Sequence, residues 1–546
     1  MFAALNSFLT RAVSAGYFLN KSLRFRSSAS AYLNRTFGTP TNNIKWTWSG
    51  WVKRGKLSGE QRLFGVGTDL SGINQGSFFF DSNNTLVFNQ CDGAGAFQAR
   101  LVTNALFRDP AAWYHVVVAV DTTQGTAANR ILVYVNGAQV TSFAAANYYS
   151  LSDNVRINTS AYPAAIAGVS PYFDGEMAEV NFVDGQALAP TAFGATGANS
   201  QWLPKAYTGT YGTNGFYLPF TNTTSTSTLV ADSSGNANNW TPNNISLTAG
   251  STYDSLTDVP TLTSETVANY AVMNPLQIGS YVTLSNGNLT VTGNTATDSA
   301  LVLATIGKLT SGKWYWEYTQ GTIGSETCGV ITQNIDGLSL LSGESTTSLY
   351  GVGARASGAV YGGTVGSITS WTTGDVIGLS LDCDNGAIYW SKNGTALNGG
   401  VPTSGASKTG AVGAWTPSPT KIITPSFGAY NSGFVSATFG QRPFTYTAPT
   451  GFLPLNTYNI AAGTVTTSGT FTGNLSTDGP FVFLNGTPTA MTINGNAVTF
   501  GTHADKLANG FKVRSSSASY NASGSNTYVA TTVGQVFKYE EAQANP

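Results

Sequence analysis

Bond-making chemistry in proteins usually needs a nucleophile beside a base, two opposed carboxylates, or a metal held by clustered His, Cys, Asp and Glu. The 546-residue chain offers few such groups: two histidines, three cysteines and 27 Asp and Glu residues. Cys91, Cys328 and Cys383 are odd in number and far apart, with no CxxC pair, so neither a disulfide framework nor a structural zinc site is expected. Cys328 and Cys383 have no nearby His to activate them and are expected to be buried small hydrophobes. His115 shares a strand face with Trp113, Val117 and Ala119. No nucleophile motif accompanies it, so a core or rim histidine is expected rather than a general base.

Asp174, Glu176 and Glu179 are the remaining candidates. Two carboxylates flanking one glycosidic bond would hydrolyse it. Even spacing puts Asp174 and Glu176 on one strand face, but Glu179 falls on the other and position 178 is Ala. Asp174 is therefore expected as a turn acid and Glu176 as a solvated strand residue. No catalytic residue, cofactor or metal ion is expected.

The elements that would carry these side chains are short strands. Examples are SLRF at 22–25, WTWSGWVKR at 46–54, GSFFFD at 76–81, WYHVVVAVD at 113–121 and RILVYVNG at 130–137. Alternating β-branched and aromatic residues between Gly, Asn and Asp turns predict antiparallel sandwiches. The composition agrees: 41% hydrophobic, 12% aromatic, 62 glycines and only 10% charged, against a usual ~25% charged. So many aromatics with so little charge exclude disorder. A net charge of −1 excludes nucleic acid as a partner. No run of 18 apolar residues occurs, so no membrane insertion is expected.

Residues 1–21 place Phe2, Leu5, Phe8, Leu9 and Ala12 at helical spacing. They predict a short helix that caps the first domain, makes an oligomer contact or anchors the chain in a larger assembly, with a secretion role as the remaining alternative. Loss of strand density divides the rest into a sandwich at 22–194, an ordered connector at 195–266, a second sandwich at 267–455, a linker at 456–480 and a small β module at 481–546. SLRFRSSASAYL at 22–33 is echoed by GFKVRSSSASYN at 510–521, each reading as a strand, a polar turn and an aromatic.

Three ordered motifs lie in the first sandwich: Trp113 to Asp121, Leu132-Val133-Tyr134-Val135-Asn136-Gly137, and Phe173-Asp174-Gly175-Glu176-Met177-Ala178-Glu179-Val180-Asn181-Phe182. In this order they resemble the laminin-G-like/concanavalin A-like family, which implies a jelly-roll sandwich. Glycosidases of that fold set acids at i, i+2 and i+4, a pattern that Ala178 breaks. Some members hold calcium, but no clustered Asp/Asn loop points to it here.

The second sandwich contains Gly312-Lys313-Trp314-Tyr315-Trp316-Glu317-Tyr318 and Gly374-Asp375-Val376-Ile377-Gly378-Leu379-Ser380-Leu381-Asp382. After these come Cys383-Asp384-Asn385-Gly386-Ala387-Ile388-Tyr389-Trp390, Lys392-Asn393-Gly394 and Pro425-Ser426-Phe427-Gly428. Asn385-Gly386 predicts a type I′ turn with both residues at positive φ, and Asn393-Gly394 repeats the device. Together these segments resemble a SPRY domain, which implies binding of protein or glycan through rim loops. Tyr350, Tyr361 and Trp371, in Gly/Ser-rich loops, are the candidate ligand contacts; the alternative is that they pin those loops to the sandwich.

Tyr207 to Leu218, Asp232 to Asn236, Asn239 to Asn244 and Tyr253 to Thr261 resemble the connector of tailed-bacteriophage structural proteins. Gly510 to Ser516 with Tyr528-Val529-Ala530 resembles their closing segment. That resemblance implies a virion protein, assembled in the bacterial host cytoplasm and acting as a tail fibre or receptor-binding component. It further implies self-association, with a trimer favoured, attachment to other virion proteins possibly through residues 1–21, and non-catalytic binding of host-surface glycan or protein. The alternatives are a capsid-attached decoration or head fibre, a glycan depolymerase, and a cellular adhesin or lectin.

Overall fold

A computed structural model describes residues 17–67, 75–168, 170–197, 200–294, 300–324, 326–332, 350–418, 421–460, 464–477, 480–483, 486–500, 502–507 and 510–534. The helix expected at the N-terminus falls almost wholly outside these residues. The chain divides into two compact units, with the boundary between Asn459 and Ile460. No helix among the described residues is long and apolar enough to cross a membrane.

Within the larger unit, the described residues first build two eight-stranded antiparallel sheets. The centre of one sheet is Trp113–Asp121, Lys45–Arg54 and Gly175–Asp184, in that order. The other runs from the edge strand Phe143–Asn147 through Phe97–Leu106, Thr85–Cys91, Gly76–Phe80, Gln61–Val66, Pro163–Ile166 and Tyr32–Thr36 to Thr241–Asn243. Between them, Trp46, Trp48, Phe64, Phe78, Phe88, Val116, Val118 and Phe182 form an aromatic core. Alternation accounts for this: in Trp113–Asp121 the even-numbered valines face the partner sheet. Asn136 and Gly137 have φ values of 49° and 79°, the pair expected for a type I′ hairpin.

Residues 195–266 are more than a connector. Phe216–Leu218 pairs with Gly175–Asp184, Ser255–Leu256 with Ser22–Phe25, and Thr241–Asn243 with Tyr32–Thr36. Trp240 packs edge-on to Phe216 in the core. This segment therefore completes the first sandwich.

The second sandwich pairs a six-stranded sheet with a nine-stranded one. Lys313–Gln320 and Val376–Asp382 are neighbours in the larger sheet, and Trp316, Tyr318, Leu379 and Phe427 lie in the interior. Asn393 and Gly394 both have positive φ, as expected, but Asn385 does not; only Gly386 does, at 72°. The Asp382 carboxylate explains the difference. It accepts from the Asn385 backbone N–H at 3.0 Å and from its Nδ2 at 2.8 Å, while Gly386 N–H donates to the Asp382 carbonyl. These bonds close a four-residue loop in place of the two-residue turn.

The smaller unit holds a four-stranded and a three-stranded sheet around Phe471, Met491, Ile493, Phe511, Val513 and Tyr528. Its first strand is Thr464–Gly473, so the expected linker at 456–480 is a correction: ten of its residues form a strand. Thr, Val and Phe at alternating positions suit a pleated surface, and Ser/Thr richness alone does not make a linker. Both copies of the sequence echo are a strand followed by a turn, closed by a 3-10 turn at Ser27–Ala29 and by one helical turn at Ala518–Asn521.

Candidate functional site

The acids that could have formed a hydrolytic pair do something else. Asp174 and Glu176 are both about 1% exposed, not the turn acid and solvated residue that alternation predicted. A second layer covers the face on which they stand, and all ten residues of Gly175–Asp184 are buried. Asp174 Oδ1 accepts from the Gly287 N–H at 2.6 Å. Its Oδ2 accepts from Ser27 Oγ at 2.7 Å and from the N–H groups of Asn286 and Ser27. Asn286 and Gly287 form the hairpin tip that joins Val282–Ser285 to Thr290–Gly293 in the second sandwich, so this carboxylate fastens one sandwich to the other. Burial, with the charge of Asp258 nearby, pushes the Glu176 carboxyl well above the usual carboxylate range.

Two further buried groups complete the joint. Lys53 Nζ donates to Asp258 Oδ2 at 2.6 Å, to Asn269 Oδ1 at 2.8 Å and to the Tyr270 carbonyl at 3.0 Å. Trp113 Nε1 donates to the other Asp258 oxygen at 3.1 Å. Arg24, fully buried, donates through Nε to Asp254 and through its terminal nitrogens to the carbonyls of Asn286, Ser251 and Tyr253. None of these partners was legible as such in the sequence, because each lies 145 residues or more from its mate.

His115 is buried and stacks between Trp51 and Trp202, at ring distances of 4.9 and 6.0 Å. The Trp202 indole N–H donates to Nδ1 at 2.9 Å. An indole nitrogen can only donate, so the imidazole proton sits on Nε2, which donates to Ser49 Oγ at 2.9 Å. Burial holds the ring neutral, with its pKa lowered to about 3. The expected core histidine is what the structure contains.

Glu179 occupies the bulge of its strand with φ +54°. Tyr17 and Tyr217 donate to its two oxygens at 2.8 and 2.9 Å, and the two hydroxyl oxygens lie 2.7 Å apart. Burial raises its pKa to about 7. The geometry gives a second reason: three short O···O contacts share only two protons while the carboxylate is ionised, and protonation supplies the third. Between its unfolded value of 4.5 and about 7 the folded carboxyl binds the extra proton. Its contribution is thus full below pH 4.5 and is lost as pH rises, by about 3 kcal/mol across that window. Urea titrations of the wild type and Glu179→Gln at pH 4.5 and 7.5 should differ by that pH-dependent increment; equal slopes would refute the assignment.

The three rim aromatics have different fates. Trp371 is 2% exposed; its Nε1 donates to Gln320 Oε1 at 3.1 Å and its ring meets Tyr318 edge-on. It is a correction to the ligand-contact expectation, since it pins the loop from beneath. Tyr350 is half-buried against Leu301, Leu303 and Ile331. Tyr361 is half-buried on the sheet-end strand Val360–Tyr361, with the Arg355 guanidinium 5.3 Å from its ring centroid. Around it, Gly362, Gly363, Thr364, Gly366, Ser367, Thr369 and Ser370 are exposed. The accessible surface is therefore an aromatic–guanidinium pair framed by an uncharged, hydroxyl-rich loop, suited to stacking and hydrogen bonding with a neutral polar ligand. Arg355 was missed by the sequence reading; the hairpin register Gly353↔Tyr361 brings it there.

The cysteines are free and buried. Burial pushes the thiols of Cys328 and Cys383 well above their ordinary value. Neither should react with a thiol reagent until the chain is unfolded; rapid labelling of the native protein would contradict this.

A family model described as the concanavalin A-like lectin/glucanases superfamily (Laminin_G_3) matches residues 27–192. No curated protein matches the chain. Among solved structures, the SPRY domain of human HERC1 is similar at 20% identity, covering 30% of this chain and 96% of that one, with a TM-score of 0.24. A heptameric SAP-like pentraxin from Limulus polyphemus is similar at 16% identity, covering 31% and 78%, with a TM-score of 0.23. A carbohydrate-binding candidate from Bacteroides ovatus is similar at 15% identity, covering 42% and 59%, with a TM-score of 0.28.

Proposed function

We propose that the chain is a non-catalytic recognition protein of a bacteriophage virion, a tail fibre or receptor-binding component that engages glycan or protein on the host surface. One observation carries the non-catalytic part: the carboxylates that could have opposed each other across a glycosidic bond, Asp174 and Glu176, are enclosed in the joint between the sandwiches. The binding part rests on the exposed rim around Tyr361 and Arg355. The lectins within the superfamily matched by residues 27–192 favour a glycan ligand. Buried hydrogen bonds from Lys53 to Asn269 and Tyr270, and from Gly287 to Asp174, tie the two sandwiches together, and weak contacts from several copies can act together.

Immunogold labelling of virions together with an adsorption assay tests the virion role. Label at the tail and antibody-blocked adsorption are the expected results. Label on the capsid alone, with adsorption unaffected, would overturn it.

A further inference from the structure

Among the described residues, the smaller unit presents a sheet edge unlike the others. Thr464–Gly473 is ten residues long and pairs, among the described residues, with Gly524–Gly534 alone, in ten consecutive register positions without a bulge. An unpaired edge of this length is a template for another strand, and proteins usually blunt such edges with charge, proline, bulges or brevity. Elsewhere the chain does so. Terminal strands of the other sheets include Ala138–Gln139, Ser255–Leu256, Val360–Tyr361 and Thr395–Ala396, each of two residues, and Met273–Ile278, which contains Pro275. Thr464–Gly473 has no proline, no charge and no bulge.

The opposite side of the same sheet shows which partner fits. It ends in the two-residue strand Asn496–Ala497, and the neighbouring Gly486–Ile493 carries Pro488 with a register shift between Pro488 and Ala490. Head-to-tail addition of one copy's long edge to the next copy's short one is therefore obstructed. Among the described residues, the one edge of this sheet that matches Thr464–Gly473 in length and regularity is Thr464–Gly473 itself.

The chemistry also permits self-pairing. None of the residues 464–473, 486–497 and 524–534 is charged, so two copies of the sheet can meet side by side without like-charge repulsion. Positions 464, 466, 468, 470 and 472 are Thr, Thr, Ser, Thr and Thr. Antiparallel pairing of two identical strands sets such residues opposite one another, and hydroxyl pairs across strands are favourable. Thr470 and Thr472 are exposed.

We infer that Thr464–Gly473 pairs antiparallel with the same strand of a second copy, joining two four-stranded sheets into one across a two-fold axis. A contact of this kind is isologous and gives even-numbered assemblies, in contrast to the trimer that the family resemblance implies. It stands independently of what the chain recognises.

The test is sedimentation of the full-length chain and of Thr470→Lys/Thr472→Lys, with Thr470→Ser/Thr472→Ser as the conservative control. The wild type and the serine variant should sediment as an even-numbered species. The lysine variant should fall to half that stoichiometry, with unchanged circular dichroism. Hydrogen exchange should find the outward amides of 464–473 protected in the wild type and unprotected in the lysine variant. A single-copy wild type, a three-copy species, or an even assembly that the lysines leave intact would each overturn the inference.

Discussion

Replacing Lys53 by methionine is expected to destabilise the larger unit by about 3–5 kcal/mol, because it leaves the buried Asp258 carboxylate without its cation. The side chains of Lys53 and Asp258 are 3% and 0% exposed, so water does not compensate. The ammonium donates to three acceptors, of which Asn269 and Tyr270 come from the segment that enters the second sandwich. Its loss should therefore be felt at the joint and not only in the first sheet. Asp258→Asn keeps an acceptor for Trp113 but strands the ammonium. The double variant removes both charges and should lose less than the two singles combined, with a coupling of about 1–3 kcal/mol. Urea titrations of the four proteins measure this. Limited proteolysis between residues 258 and 272 should also quicken in the single variants. Strict additivity would mean that the pair does not act as a unit.

The second large effect is on the acid limb of stability. Unfolded, His115 takes up a proton near 6.5; folded, it does so only near 3. Between those values the unfolded chain binds more protons, so stability rises with pH across the window and is lost as pH falls through it. The full span of 3.5 units amounts to about 5 kcal/mol. His115→Gln can still accept from Trp202 and donate to Ser49, and it does not titrate. Its stability should therefore fall less steeply below pH 6.5 than that of the wild type. Glu179 acts in the opposite direction between 4.5 and about 7. The two partly cancel down to pH 4.5, and His115 prevails below it. The chain has two histidines, and the spectrum of the variant identifies which signal is His115. Its imidazole resonance should keep the neutral shift to pH 4, and a midpoint near 6.5 would contradict the buried, neutral assignment.

How far these features were legible depends on how local their causes are. Trp113–Asp121, Gly76–Phe80 and Ser22–Phe25 fall where alternation put them, and Asn136-Gly137 turns as its φ preferences require. Local chemistry also explains the exception at Asn385, where the Asp382 side chain supplies bonds that a pattern of turn residues does not display. The environment of the outward faces was not legible. Alternation says which residues share a face, not what covers it, so Glu176 read as solvated although the second sandwich seals it. The same limit applies to Trp371, whose Gly/Ser-rich neighbours suggested a surface position while Gln320 and Tyr318 hold it inside. Thr464–Gly473 failed for a different reason: its polar composition resembles a linker, and only its long partner strand shows it to be sheet.

The proposed function is recognition without catalysis at the Tyr361–Arg355 rim. It is tested most directly by a glycan array probed with the full-length chain, Tyr361→Ala and Arg355→Ala, with each bound glycan assayed for new reducing ends. Binding by the wild type, at least ten-fold weaker binding by both variants, and no new reducing ends is the predicted result. Release of reducing ends, or variant binding equal to wild type, would contradict it.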